Sequence, residues 1–196
     1  MEKAALLPQA IFKEFITMIQ RTIRGQYLDA LGMNEEYGTS SKENVFARNN
    51  LKTAWYTFTS PARIGYMLHN NFSEEKLLVL TNIIRELGLL FQIRDDIIDC
   101  IDENSGKPLF GDIFENQTTW VTFYLQEQYS DIYKKIIQTK NELTVQDLQK
   151  IFINIDLETP YITEFNKVSK NIDAIDNQYS DIKEKSFEVL KLLTLK

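Results

Sequence analysis

Residues 73–102 read SEEKLLVLTNIIRELGLLFQIRDDIIDCID, a run without proline that holds one glycine, and its periodicity decides the fold. Turning each residue by about 100° gathers Asn82, Arg85, Gly88, Gln92, Asp95, Asp96 and Asp99 into one arc. Ile83, Ile84, Leu87, Leu90, Phe91, Ile93, Ile97, Ile98 and Ile101 fall in the other, with only Leu89, Glu86 and Arg94 out of place. Working outward, the same period predicts helices at about 9–31, 42–70, 74–102, 117–138, 144–155 and 159–192. Pro8, Gly32 with Gly38, Pro61, Gly106–Gly111 and Pro160 punctuate them. No β-hairpin signal, internal repeat or interdomain linker interrupts the series, so the expectation is an all-α chain with residues 1–196 in one domain. Only the 32–44 and 102–116 loops are long enough to matter.

Composition narrows the function classes. The 22 basic and 28 acidic side chains give a net charge of −6, and nucleic acid is disfavoured because it needs a basic face to displace counterions. One cysteine, Cys100, excludes an internal disulfide, and the single histidine, His69, leaves no Cys/His set for zinc. No stretch approaches the roughly eighteen apolar residues of a membrane span. The expectation is a soluble cytoplasmic protein. The 9 Tyr and 12 Phe recur at apolar-face positions and read as core filling. No role is expected for His69, Cys100 or the two tryptophans.

A charged arc is ordinarily a solvated helix face. Asp95, Asp96 and Asp99 break that reading twice. They crowd like charges at i, i+1 and i+4, and they sit in the last turns, where the helix dipole disfavours anions. A local rule broken in this way marks a functional site. A hard divalent cation would compensate it, since Mg²⁺ takes carboxylate oxygens and completes its octahedron with water and substrate phosphate.

Phe91-Gln92-Ile93-Arg94-Asp95-Asp96-Ile97-Ile98-Asp99 resembles the second aspartate-rich motif of the isoprenyl diphosphate synthases, in particular the farnesyl diphosphate synthase branch. Three further segments follow the family order. Thr22–Asp29 resembles its T-x-x-G-Q-x-L-D helix; Lys52-Thr53-Ala54-Trp55-Tyr56-Thr57-Phe58, with Pro61 and Gly65 beyond, resembles its K-T-A-x-Y-x-F helix; and Gly111-Asp112-Ile113 through Trp120 resembles its G-T-D-I-x-x-x-K-x-x-W segment. The resemblance is firm from about residue 12 to about residue 125 and fades towards residue 180.

The resemblance implies a partial isoprenoid-synthase (terpenoid synthase) helical bundle and Mg²⁺-dependent prenyl transfer between an allylic diphosphate and isopentenyl diphosphate. By the same implication Asp95, Asp96, Asp99 and Asp112 hold metal, and Gln26, Asp29, Lys52, Tyr56, Gln92 and Lys107 bind substrate. Lys52, Thr53 and Gln92 serve the reaction, Lys52 on the allylic diphosphate and Thr53 near the developing cation. The residues support parts of this by themselves. Gly25 in a helix interior costs about 1 kcal/mol relative to Ala and needs a close contact to justify it. Gln26 and Asp29, three apart, share a face, and Pro61 can kink its helix. Gln117 departs from the pattern, standing where the family has a second lysine.

The first D-D-x-x-D motif of the family, the arginine pair behind it and much of the isopentenyl diphosphate site have no counterpart in these residues. Electrostatic stabilisation of the leaving diphosphate is the main catalytic work, so the expectation is weak or partner-dependent Mg²⁺ binding and no activity for this polypeptide alone. Helix faces that pack on the absent elements would stay apolar and exposed, which predicts a homo-oligomer or a hetero-oligomer with another protein chain. The alternatives are a catalytically inactive binding or structural subunit and a truncated product. Terpene cyclases share the fold but usually carry a different second motif.

Overall fold

A computed structural model describes residues 2–32, 42–69, 73–103 and 106–195. Every regular element among them is helical: α1 (Glu2–Gly32), α2 (Lys42–Asn49), a π-helical stretch (Asn50–Thr59), α3 (Ser60–Met67), α4 (Glu74–Ile101), α5 (Gly111–Phe114), α6 (Trp120–Gln128), α7 (Ser130–Thr139), α8 (Val145–Phe152), α9 (Glu158–Asp173), a 3₁₀ turn (Asn177–Tyr179) and α10 (Ser180–Leu192). The all-α expectation holds. The 32–44 loop lies largely outside the described residues. No described helix is long and apolar enough to cross a membrane.

Local chemistry sets several boundaries. Ser73 caps α4 by accepting from the Lys76 N–H at 3.4 Å, and Glu74 and Glu75 sit favourably on the positive end of its dipole. Thr119 with Thr122 and Thr144 with Asp147 form capping boxes at the starts of α6 and α8. Pro61 lies in the first turn of α3 and has no N–H to return to the preceding turn. The chain answers ahead of it by widening, so that the Ser60 N–H bonds back to Trp55 O.

Three sequence expectations need correction. The helix expected over 117–138 is two helices, broken where Tyr129 leaves helical geometry at φ −133°. The one expected over 159–192 divides at Ala174–Tyr179, where Asp176 caps the 3₁₀ turn. Neither break carries glycine or proline. Third, the aromatics are not all core. Phe110 and Tyr161 are fully buried, whereas Phe12 and Tyr27 on α1 are 67% and 63% exposed.

α4 is the central element, meeting the π stretch, α3, α6, α9 and α10. Its apolar arc enters a cluster with Phe110, Val121, Leu125, Ile136, Leu148, Tyr161, Ile172 and Leu190. Its polar arc turns towards the π stretch, where Gly88 lets Ala54 approach so closely that an added Cβ would meet the Ala54 Cβ at 2.7 Å. α1 packs against the other side of that stretch, and Gly25 is the contact. A Cβ there would stand 2.4 Å from Lys52 N and 2.6 Å from Leu51 C, which justifies the helical glycine.

Candidate functional site

The polar arc of α4 changes character along its length. Asn82 and Arg85 are solvated, but Gln92, Asp96 and Asp99 are buried. They form one bank of a cleft of about 410 Å³, and the opposite wall is Asn49, Lys52, Thr53, Tyr56 and Thr57. Asp112, Lys107, Thr118 and Thr119 complete the lining. The structure thus brings together Lys52, Thr53, Tyr56, Gln92, Asp95, Asp96, Asp99, Lys107 and Asp112, nine residues singled out from the sequence. Gln26 and Asp29 are not in that lining. Gln26 is exposed on α1, and Asp29 is buried.

Asp96 is held by Gln92 Nε2, which donates to its Oδ1 at 2.7 Å, and by the Trp120 N–H, which donates to its Oδ2 at 2.8 Å. Burial pushes its carboxyl up to about 7 against the lowering effect of those two bonds, and the nearby Asp112 charge adds to the rise. Asp99 accepts from the Asp112 N–H at 3.2 Å, which fixes the start of α5 against the end of α4. Burial is the leading cause that raises both Asp99 and Asp112. The Asp112 carboxyl reaches about 6, with the Asp99 charge as the next cause. Asp95 stands at the mouth, where Lys107 Nζ lies 3.4 Å from its Oδ2.

The far wall carries the cations. Lys52 Nζ lies 2.8 Å from Asp29 Oδ2, and Arg48 Nε lies 3.5 Å from Asp29 Oδ1. Arg48 Nη2 also donates to Thr118 O. Sequence reading missed Arg48, although its place one turn before Lys52 puts the two on one helix face. It also missed the Trp120 N–H, a backbone group that leaves no trace in residue types.

The donor set is hard oxygen throughout. Among the described residues no three carboxylates, imidazoles or thiols converge as a ready-made metal cage. Mg²⁺ does not require one, because it commonly takes one or two carboxylates and fills its remaining positions with water and phosphate. Burial first, and neighbouring carboxylates second, disfavour the charged forms of Asp99 and Asp112, and a divalent cation would offset both effects, so the residues fit such an ion.

The polyprenyl synthetase family profile matches residues 2–155. The chain is 25% identical over 166 residues to farnesyl pyrophosphate synthase 2 of Cannabis sativa, spanning 79% of this chain and 48% of that one. It is 26% identical over 170 residues to the farnesyl pyrophosphate synthase of Saccharomyces cerevisiae, spanning 82% and 48%. It therefore covers about half the length of the curated relatives it matches. Heptaprenyl diphosphate synthase from Staphylococcus aureus superposes with a TM-score of 0.73 at 18% identity, over 94% of this chain and 59% of that one. Farnesyl diphosphate synthase of T. brucei gives 0.74 at 18% identity, over 96% and 59%. At such identities the likeness establishes the fold, the all-α bundle of the isoprenyl synthases.

Proposed function

The chain belongs to the polyprenyl synthetase family, and from that premise we propose that its cleft binds the diphosphate of an allylic prenyl substrate and forms one bank of a prenyl-transfer site. The observation that carries this reading is the opposition of Lys52 and Thr53 on one wall to Gln92, Asp95, Asp96 and Asp99 on the other, with Asp112 at their end. Asp95, Asp99 and Asp112 would hold Mg²⁺. When bound, Mg²⁺ supplies Lewis-acid stabilisation of the departing diphosphate.

The chain's own groups have distinct tasks in this scheme. Lys52 presents an ammonium to the diphosphate and is oriented by Asp29. Thr53, on the next residue of the same wall, faces the reacting carbon, and Tyr56 lines the cleft one turn further on. Lys107 at the mouth closes over the anion. Gln92 and the Trp120 N–H each donate to one Asp96 oxygen, so Asp96 serves first as a strut that fixes the wall. A second polypeptide, either a copy of this chain or a different family member, would cover the apolar face of α1 and complete the site with its own carboxylates and with isopentenyl diphosphate binding. The alternative is a binding or structural subunit without catalysis. It is favoured by Gln117, which brings an amide where a cation would strengthen the site.

Calorimetric titration with geranyl diphosphate and Mg²⁺, beside a prenyl-transfer assay with isopentenyl diphosphate, tests the reading. We expect Mg²⁺-dependent binding that Asp95→Ala reduces at least tenfold. Equal affinity in that variant would remove the metal site, and binding without product under every pairing of chains would favour the non-catalytic subunit.

A further inference from the structure

The proposed function gives Lys52 the main anion contact, yet its ammonium is paired at 2.8 Å with Asp29, a carboxylate only 8% exposed. A cation neutralised in this way has little field left for an anion. Arg48 changes the balance. Its Nε lies 3.5 Å from the other Asp29 oxygen, its side chain is buried, and a guanidinium stays charged at any working pH. One carboxylate shared by two cations leaves a surplus of one positive charge. That surplus stands directly behind the cleft wall, because Arg48 donates to the carbonyl of Thr118, a lining residue, and its chain neighbour Asn49 lines the cleft as well.

A second observation points to the same place. Among the described residues, the buried side-chain polar atoms without a hydrogen-bond partner are Asn50 Oδ1, Trp55 Nε1 and Arg48 Nε, whose 3.5 Å approach to Asp29 is an ion-pair contact and not a hydrogen bond. Asn50 and Trp55 lie in the π stretch on either side of Lys52, and Arg48 lies two residues before its start, at the end of α2. Native interiors pair nearly all such atoms, and unpaired groups together with π geometry concentrate at functional sites.

We propose that Arg48 is a positioning residue for a diphosphate-class anion. By taking half of Asp29 it keeps Lys52 from being neutralised and holds net positive charge behind the Asn49–Thr118 wall. This rests on the reading of the cleft given above. The competing role is a purely mechanical tie between α2 and the segment before α6.

The test is titration of the full chain with inorganic pyrophosphate and Mg²⁺ at two ionic strengths, with circular dichroism to confirm folding. Arg48→Met should weaken binding about tenfold and flatten its salt dependence, whereas Arg48→Lys, which keeps the charge but cannot reach both partners, should stay within about threefold of native. Lys185→Met, which removes one charge from an exposed pair with Glu188, should change nothing. If Arg48→Lys loses as much as Arg48→Met, Arg48 is a mechanical tie and the proposal is overturned. Should Arg48→Met not fold, Arg48→Lys decides: near-native affinity with a native salt dependence supports the proposal, and a tenfold loss overturns it. A folded Arg48→Met with native affinity removes this proposal and leaves the cleft's function standing. A native chain that does not bind pyrophosphate removes both.

Discussion

Two regions of the chain bury polar groups on different foundations. From Ile83 to Leu193 the buried Gln92, Asp96, Asp99, Thr119, Thr122 and Ser186 accompany a large apolar cluster, stabilised by removal of hydrocarbon from water at about 25 cal/mol per Å². Residues 9–67 bury Glu14, Asp29, Arg48, Asn49, Thr59 and Ser60 and leave Phe12, Phe15, Ile16, Ile19, Ile23 and Tyr27 substantially exposed. α1 is thus partly inverted: it buries Glu14 and Asp29 and exposes an apolar stripe, with Lys13, Gln20 and Arg24 exposed as well. Glu14 shows how the inward side is held, accepting from Ser60 Oγ at 2.7 Å and from Arg63 Nε at 2.9 Å. Buried ion pairs contribute little net stability but fix geometry where they form, and breaking one is costly. The first region provides stability and the second provides orientation, with an apolar patch suited to a further surface.

The largest expected effect lies in the apolar region. Leu87→Ala, at a fully buried position, should cost about 2–5 kcal/mol in urea unfolding, and a loss under about 1 kcal/mol would mean that this core is not the main source of stability. At the junction of the two regions, Gly25→Ala forces a Cβ against the Lys52 backbone. It should cost about 1–3 kcal/mol and weaken pyrophosphate binding by moving Lys52. Unchanged melting and affinity would show that α1 does not set the cleft.

A pH series sharpens the contrast on the cleft side. With its carboxyl raised to about 7, folded Asp96 binds a proton that the unfolded chain has already lost. Its contribution is therefore complete below about pH 4 and disappears as the pH rises to about 7. Without divalent cation the native chain should lose roughly 2 kcal/mol from this group between pH 5 and 8, and Asp96→Asn should lose none of it. Parallel stability curves for the two proteins would sink the assignment. The smallest effect belongs to the inverted face. Ile19→Ser and Ile23→Ser should each leave monomer stability within about 0.5 kcal/mol while shifting sedimentation from associated species towards monomer. A native chain that sediments as a monomer would exclude a second copy of this chain as the cover for this face.

Much of this was legible in the residues. Period and punctuation located α4 and the long helical stretch from Lys42 because each carries a strong stripe and a clear boundary. The breaks at Tyr129 and Ala174–Tyr179 were not legible, since neither holds glycine or proline. Tertiary contacts mark the first of them, where the Tyr129 hydroxyl accepts from the Asp156 N–H at 3.2 Å. Gly25 was legible as a close contact. Gln26 and Asp29 share a face, but residues three apart on a helix stand about 60° apart, and here Gln26 is solvated while Asp29 is buried.

The sequence by itself determined the all-helical class, the family and the identity of the acidic and basic residues of the cleft. Those are properties of local period and of residue types at short spacing, which the chain carries before it folds. Only the tertiary structure decided which cation shares Asp29, which backbone N–H holds Asp96, and that α1 buries Glu14. These depend on contacts between residues 19, 24 or 46 positions apart. Such contacts are set by how helices pack around α4, and no local pattern records them.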